Sequence, residues 1–395
     1  MDHRKLRKSI EQELQGNLLP FWRERSLDHS RGGFIAEMTN DGRLREDAPK
    51  GLILNARLLW TFSALYRELG DERDRELARR AYDYIEEHFR DPDYGGYLWR
   101  VNPDGQPLEV VKKVHGQAVC VYALSEYHRA TGDANALRSA AETCNLIELH
   151  AHDARFGGYI EVLGLDWSPV ADLRLSDKDM NVAKSMNNHL HILEAYTTLH
   201  SVWPNPVVAG RLRELISLFD ERMLTPGGHF DLFFDEQWKV RSDSYTYGHD
   251  IEGAWLLREA AAVLGDKELE AQVSKRAVEV AIAVYREGLD QEGGLVYEGR
   301  DGKVIDTNRE WWPQAEAMVG FWHAYRLTKD AKFAEAVARL WAFIEKRIVD
   351  RVHGEWFWRV RADGSVDERE PKVSEWKDPY HAIRMCLEMR RSLEE

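Results

Sequence analysis

Gly95-Gly96-Tyr97-Leu98-Trp99-Arg100-Val101 joins a tight turn to a short alternating strand, and the chain of 395 residues returns to this pattern six times. The other copies are Gly32-Gly33-Phe34, Gly157-Gly158-Tyr159, Gly227-Gly228-His229-Phe230, Gly293-Gly294-Leu295 and the degenerate Gly354-Glu355-Trp356. They lie about 60 to 70 residues apart. A fixed period of this size means that one supersecondary unit has been repeated. Glycine supplies backbone angles that other residues resist, and the alternation that follows reads as a strand.

Between the turns the apolar residues recur with helical period, two helices per repeat and about twelve in all. One set is predicted near 6–21, 73–89, 134–150, 206–223, 267–286 and 331–348, the other near 53–69, 116–131, 186–202, 249–264, 313–328 and 379–393. The first set is amphipathic, as in Glu335-Ala336-Val337-Ala338-Arg339-Leu340-Trp341. The second is apolar on most of its circumference, as from Leu52-Ile53-Leu54 to Leu58-Leu59-Trp60. Helices apolar all round belong inside. The expected fold is therefore all-α, an (α/α)6 barrel with short β-hairpins at one face, and a single domain over residues 1–395. Every hairpin falls in the long link from an outer to an inner helix, whereas the return links are short, as in Thr131-Gly132-Asp133. All six hairpins then share the end where the inner helices begin. Loops on a rigid scaffold carry function, and helix N-termini there favour an anionic ligand or intermediate.

A net charge of −14 argues against nucleic-acid or anionic-membrane partners. No stretch approaches the roughly 18 uninterrupted apolar residues of a membrane span, and Met1-Asp2-His3-Arg4-Lys5 is unlike a signal peptide. Cys120, Cys144 and Cys386 are scattered through apolar helical stretches, as reduced core thiols of a cytoplasmic protein would be. The 14 Trp and 15 Tyr are many for this length; some must pack the core, but several stand beside polar residues in loops, as sugar-stacking surfaces do. A small-molecule sugar is the expected partner, and the chain is expected as a monomer, with a homodimer as the alternative.

Each inner helix begins with polar residues that would be costly in a helical core. In chain order these are Asn55 and Arg57; His115 and Gln117; Asn187, His189 and His191; His249 and Glu252; Trp311, Trp312 and Glu316; His381 and Arg384, the last pair following Trp376. Spacings of three or four place Asn187 with His191, His249 with Glu252, Trp312 with Glu316 and His381 with Arg384 on shared faces. His189 and His191 cannot share one, and His191 is chosen. The plainer reading makes single histidines hydrogen-bonded core residues, Glu252 and Glu316 buried partners of Arg57 or Arg384, and the tryptophans packing. One functional site explains residues from all six repeats at once.

The chain lacks His-Glu-x-x-His, a Cys-His cluster, a phosphate-binding glycine loop and Gly-x-Ser-x-Gly, so no metal and no cofactor is expected. Histidines from different helices beside carboxylate and arginine suit proton transfer at carbon, because imidazole serves as base and then as acid near neutral pH. Inverting a carbon next to a carbonyl needs two such groups on opposite faces, with Arg57 and the helix N-termini stabilising the enediolate.

Leu54-Asn55-Ala56-Arg57, Asn187-Asn188-His189-Leu190-His191, Gly248-His249-Asp250-Ile251-Glu252, Trp311-Trp312 and Trp376-Lys377-Asp378-Pro379-Tyr380-His381 together resemble the N-acylglucosamine 2-epimerase superfamily, most closely its cellobiose 2-epimerase branch. The resemblance spans almost the whole chain. It implies a cofactor-independent (α/α)6 barrel that epimerises C2 of an aldose through ring opening and a cis-enediolate. It further implies His249 and His381 as the acid/base pair, with His191 assisting. Arg57, Asn187 and Glu252 would bind sugar, and Trp312 and Trp376 would stack on it, Trp376 near a second ring. The branch usually carries Tyr where this chain has His115, and Asn-Thr-His-Leu-His where it has Asn188; both departures bear on the choice of sugar. The expected reaction is conversion of cellobiose to 4-O-β-D-glucosyl-D-mannose. A monosaccharide 2-epimerase or aldose–ketose isomerase of the same superfamily stands second. An inverting glycoside hydrolase using Glu252 and Glu316, and a non-catalytic binding module, stand behind them.

Overall fold

The computed structural model describes residues 2–394. Its outer helices are α1 (residues 3–25), α3 (72–89), α5 (Ala134–His150), α7 (206–223), α9 (Lys267–Glu287) and α11 (331–348). Its inner helices are α2 (Leu52–Leu69), α4 (Val114–Thr131), α6 (Met186–Val202), α8 (Tyr247–Val263), α10 (Trp311–Thr328) and α12 (Tyr380–Ser392). The expected boundaries hold closely, although α4, α8 and α10 begin two residues early and so take His115, His249 and Trp312 into their first turn. Four outer helices contain a π-helical stretch, Leu14–Leu18, Ile85–Phe89, Phe219–Met223 and Ile344–Ile348, which the apolar period does not reveal.

Burial divides the two sets. Every residue from Leu52 to Leu65 of α2 and from Val114 to Tyr127 of α4 is buried. The Glu72–Tyr84 part of α3 buries one face, Asp74, Leu77, Ala78, Ala81 and Tyr84. The inner helices pack in sequence, α2 on α4, α4 on α6, α6 on α8, α8 on α10 and α10 on α12, and α12 returns to α2 and closes the ring. The (α/α)6 arrangement is thus the observed one. Each buried Leu, Ile or Phe of this ring contributes about 1.5–3 kcal/mol relative to exposure. Cys120, Cys144 and Cys386 are buried and free. Among the described residues no helix is long and apolar enough to cross a membrane.

The two ends of the barrel are built differently. At the short-link end all six outer helices start with a capping side chain: Asp2, Asp71, Asp133, Asn205, Asp266 and Asp330 accept backbone amides of the first turn. At the hairpin end, among the described residues, two side chains meet first-turn amides of the inner helices, Ser185 at α6 and Asp378, whose Oδ1 accepts the Tyr380 amide of α12 at 2.9 Å. There the first amide of an inner helix donates to the next repeat's hairpin instead: Leu52 to the carbonyl of Trp99, Val114 to Glu161, Met186 to Leu232, Tyr247 to Tyr297 and Trp311 to Trp358. Short antiparallel pairs follow the same rule, Lys50–Gly51 with Arg100–Val101 and Lys112–Lys113 with Val162–Leu163. Met38 bridges Val373 and joins the first hairpin to the last.

Four of the six Gly-aromatic turns are held by their own inner helix. The fourth residue of that helix accepts the amide of the turn's apolar residue: Tyr97 donates to Gln117 Oε1 at 2.8 Å, Tyr159 to His189 Nε2 at 2.9 Å, Phe230 to Asp250 Oδ1 at 2.8 Å and Leu295 to Gln314 Oε1 at 2.7 Å. A buried lysine clamps the turn's aspartate, as Lys112 does Asp91 at 2.6 Å and Lys184 does Asp153 at 2.7 Å. In the sixth copy Glu355 replaces the second glycine at φ 63° and its own carboxylate receives the Trp356 amide, with Lys377 as counterion.

Gly158→Ala tests this device. Gly158 has φ 75°, and a Cβ there would lie 2.6 Å from His189 Nε2 and 2.5 Å from the Trp238 ring. The left-handed backbone alone costs about 1–2 kcal/mol, and the clash displaces the ring that holds Tyr159. Urea unfolding should show a loss of at least that size, and an unchanged midpoint would count against the clamp.

Candidate active site

Below the hairpins the inner helices converge on one guanidinium. Arg384 Nη2 donates to Glu252 Oε1 at 2.7 Å and to Glu316 Oε1 at 2.8 Å. Its Nη1 donates to Glu194 Oε1 and to the Tyr380 hydroxyl. The group lies over the Tyr380 ring, 4.2 Å from the centroid, and 4.8 Å from that of Trp255. All of these side chains are buried. Three carboxylates from α6, α8 and α10 thereby share one cation from α12. Burial resists ionisation of Glu194, but Arg384, His191 and Tyr380 outweigh it and hold its carboxyl at about 2. Burial and the neighbouring Glu316 push Glu252 up to about 8. Glu316 is raised as well, by burial.

Two of these carboxylates orient histidines. His381 Nδ1 lies 2.6 Å from Glu316 Oε1, and His191 Nδ1 lies 3.0 Å from Glu194 Oε2. A carboxylate at Nδ1 selects the tautomer with the proton there and leaves Nε2 as the free base. His249 differs, its Nδ1 being 2.5 Å from the Thr246 hydroxyl. The Trp312 ring neighbours two of the histidines, with centroids 4.8 Å from His249 and 5.6 Å from His381. Burial lowers all three imidazoles, His249 to about 3. Arg57 Nη1 donates to Asp378 Oδ2 at 3.0 Å while its plane covers Tyr380, 4.8 Å to the centroid.

His115 packs edge-on to His191, centroids 4.6 Å apart, and neither of its buried ring nitrogens has a protein partner. Trp376 stands at 6.1 Å from His115 and 5.9 Å from Trp99. Asn187, His249, Trp312 and Trp376 are partly exposed, and Asn187 and His249 line one small cavity with Glu161. Arg57, His115, Asn187, His191, His249, Trp312, Trp376 and His381 thus gather at the hairpin end.

Other residues singled out in the sequence stand elsewhere. Glu252 and Glu316 pair with Arg384 rather than Arg57, as one form of their plainer reading expects, and Glu316 also reaches His381. Trp311 is not on the cleft side. It packs against Trp358, centroids 4.9 Å apart, with the Lys377 ammonium 4.9 Å over its ring, because adjacent helix positions point about 100° apart. His189 is a turn clamp, its Nδ1 at 2.6 Å from the Ser185 carbonyl and its Nε2 on Tyr159. Gln117 is likewise a clamp. Sequence reasoning missed Glu194, Thr246, Asp378 and Tyr380. Only Glu194 left a signal, its i,i+3 spacing from His191.

The oxygens of Glu252 and Glu316 and a nitrogen of His381 lie within 4.8 Å of one another, a grouping able to hold a cation. The Arg384 guanidinium already bonds both carboxylates and supplies the positive charge there.

Sequence comparison matches residues 33–385 to the N-acylglucosamine 2-epimerase (GlcNAc 2-epimerase) family. The cellobiose 2-epimerase of Bacteroides fragilis is 44% identical over 386 residues, covering 97% of this chain and 98% of that protein. The cellobiose 2-epimerase of Dictyoglomus turgidum is 37% identical over 392 residues, covering 98% and 99%. The solved structure of cellobiose 2-epimerase from Bacillus thermoamylovorans B4167 superimposes with a TM-score of 0.94 at 37% identity, covering 98% of this chain and 99% of that one. With a ring of six inner helices, a histidine cluster at their N-terminal ends and matches of this extent, the chain belongs to the N-acylglucosamine 2-epimerase family.

Proposed function

We propose that the chain epimerises C2 of the reducing-end glucose of a β-1,4-linked disaccharide, converting cellobiose to 4-O-β-D-glucosyl-D-mannose. The observation that carries this reading is that His249 and His381, from different inner helices, both lie against the Trp312 ring, at 4.8 and 5.6 Å between centroids. A reducing sugar stacked on that indole would present its reacting carbon to both rings. After ring opening, one imidazole takes the C2 proton and the electron pair moves onto the C1 oxygen, giving a cis-enediolate. The other imidazole, as imidazolium, returns a proton to the opposite face of C2, which restores the carbonyl and inverts the centre. The developing anion and Glu316 raise the proton affinity that burial has lowered. Arg57, locked to Asp378, and the positive N-terminal ends of the inner helices would stabilise the enediolate charge. His191 would assist ring opening, and Asn187, His115 and Trp376 would hold the sugar, Trp376 beside the second ring. The family and the high-identity cellobiose 2-epimerases support this substrate class.

Hydrolysis fits poorly. An inverting pair stands roughly 6.5–9.5 Å apart with room for water, whereas Glu252 and Glu316 both bond one guanidinium nitrogen. Proton NMR in D2O tests the assignment across cellobiose, lactose, mannose and N-acetylglucosamine. Cellobiose should gain deuterium at C2 and yield a mannose-type product. Ketose signals would mean isomerisation instead. Exchange with mannose but none with cellobiose would overturn the disaccharide reading.

A further inference from the structure

The residue two places after each turn's apolar residue occupies an equivalent site in successive hairpins, because its carbonyl receives the first amide of the preceding inner helix. In chain order the five so bonded are Trp99, Glu161, Leu232, Tyr297 and Trp358. Four are large apolar or aromatic side chains and suit the faces of a sugar. Glu161 alone is a carboxylic acid. It is 5% exposed and, among the described residues, has no Lys, Arg or His within ion-pair distance. Its Oε1 accepts the Ser185 amide at 2.6 Å, which pins the carboxyl at the N-terminus of α6. The cavity it lines also contains Asn187 and His249, two groups of the proposed site.

We propose that Glu161 is a further sugar-contacting residue, its carboxyl bonding a hydroxyl of the ring held between Asn187 and His249 and so setting which sugar is accepted. This rests on the epimerase reading above. A carboxyl in the wall of a cavity can add a hydrogen bond to a sugar hydroxyl where an apolar side chain cannot. The titratable groups around it are Asp179 from the loop that follows the hairpin and His249 from α8, with Ser185, Asn187 and Asn188 as uncharged polar neighbours at the start of α6, Ser185 and Asn188 favouring the ionised carboxylate. Burial, reinforced by Asp179, pushes the Glu161 carboxyl up to about 8. It is therefore a neutral donor at pH 7 and ionises above about pH 8, where it ceases to donate.

Glu161→Leu and Glu161→Gln separate this role from simple support of Ser185. The Leu variant should raise KM for cellobiose about 3- to 10-fold with a smaller change in kcat, the size of one hydrogen bond. The Gln variant, which keeps a donor and the Ser185 bond, should restore KM at pH 7. It should also lack the rise in KM that the unmodified protein shows above about pH 8. An unchanged KM in the Leu variant, or the same alkaline rise in the Gln variant, overturns the assignment. Calorimetric binding of cellobiose reports on Glu161 even where no C2 exchange occurs, so a weaker-binding Leu variant with no exchange in the parent protein would sink the epimerase reading and leave the contact standing.

Discussion

His249→Asn and His381→Asn should each lower epimerisation by about 10²–10⁴-fold, the range for a lost general acid or base. The two variants should differ in a way that a merely structural histidine would not produce. Each retains the imidazole on one face of C2. That imidazole can still remove a proton and return a deuteron to the same face, although inversion is lost. His249→Asn should therefore exchange C2 of one epimer, and His381→Asn that of the other, when 4-O-β-D-glucosyl-D-mannose and cellobiose are incubated separately in D2O. Asparagine leaves an amide able to bond Thr246 or Glu316, the present partners of the two rings. Full inversion by either variant, or loss of exchange from both epimers in both variants, would remove the pair from the mechanism.

Arg384→Met should have the largest effect on stability. It withdraws the one cation shared by Glu194, Glu252 and Glu316, and removing one partner of a buried ion pair costs about 3–5 kcal/mol. Arg384→Lys should recover little of this, because a point charge cannot reproduce the planar fork that meets three carboxylates. The loss should depend on pH. Without the guanidinium the buried carboxyls have folded-state pKa values above their unfolded ones, so the penalty is absent below the unfolded values and grows as pH rises towards the folded ones. Glu252 is already held near 8 with Arg384 in place. Urea unfolding at pH 5 and pH 8 should show the variant closer to the parent at pH 5. An equal deficit at both values would mean that the lost packing on Tyr380 and Trp255 dominates.

Much of the architecture was legible because it is periodic. The capping residues of the outer helices, such as Asp133 after Gly132, and the largely apolar circumference of α2 from Leu52 to Leu65 follow from local backbone and solvent requirements alone. The site was legible in part. Polar residues at the start of every inner helix marked the right end of the barrel, but that signal arose from two causes. Gln117, His189 and Asp250 hold backbone turns, whereas His191, His249 and His381 gather around the cleft. In a list of residue types the two classes look alike.

The repeat period, the inner and outer assignment of the helices and the end that carries the histidine cluster were determined by the sequence itself, since each depends on residues close together in the chain. Only the tertiary structure decided which polar groups meet. Arg384 reaches Glu194 across 190 residues and Glu252 across 132, and Glu316 comes to His381 across 65. It also separated Trp312, on the cleft, from Trp311, in the wall, and singled out Glu161 among five equivalent hairpin positions. Contacts between helices depend on ring closure and on side-chain direction, and neither has a period that the chain can display.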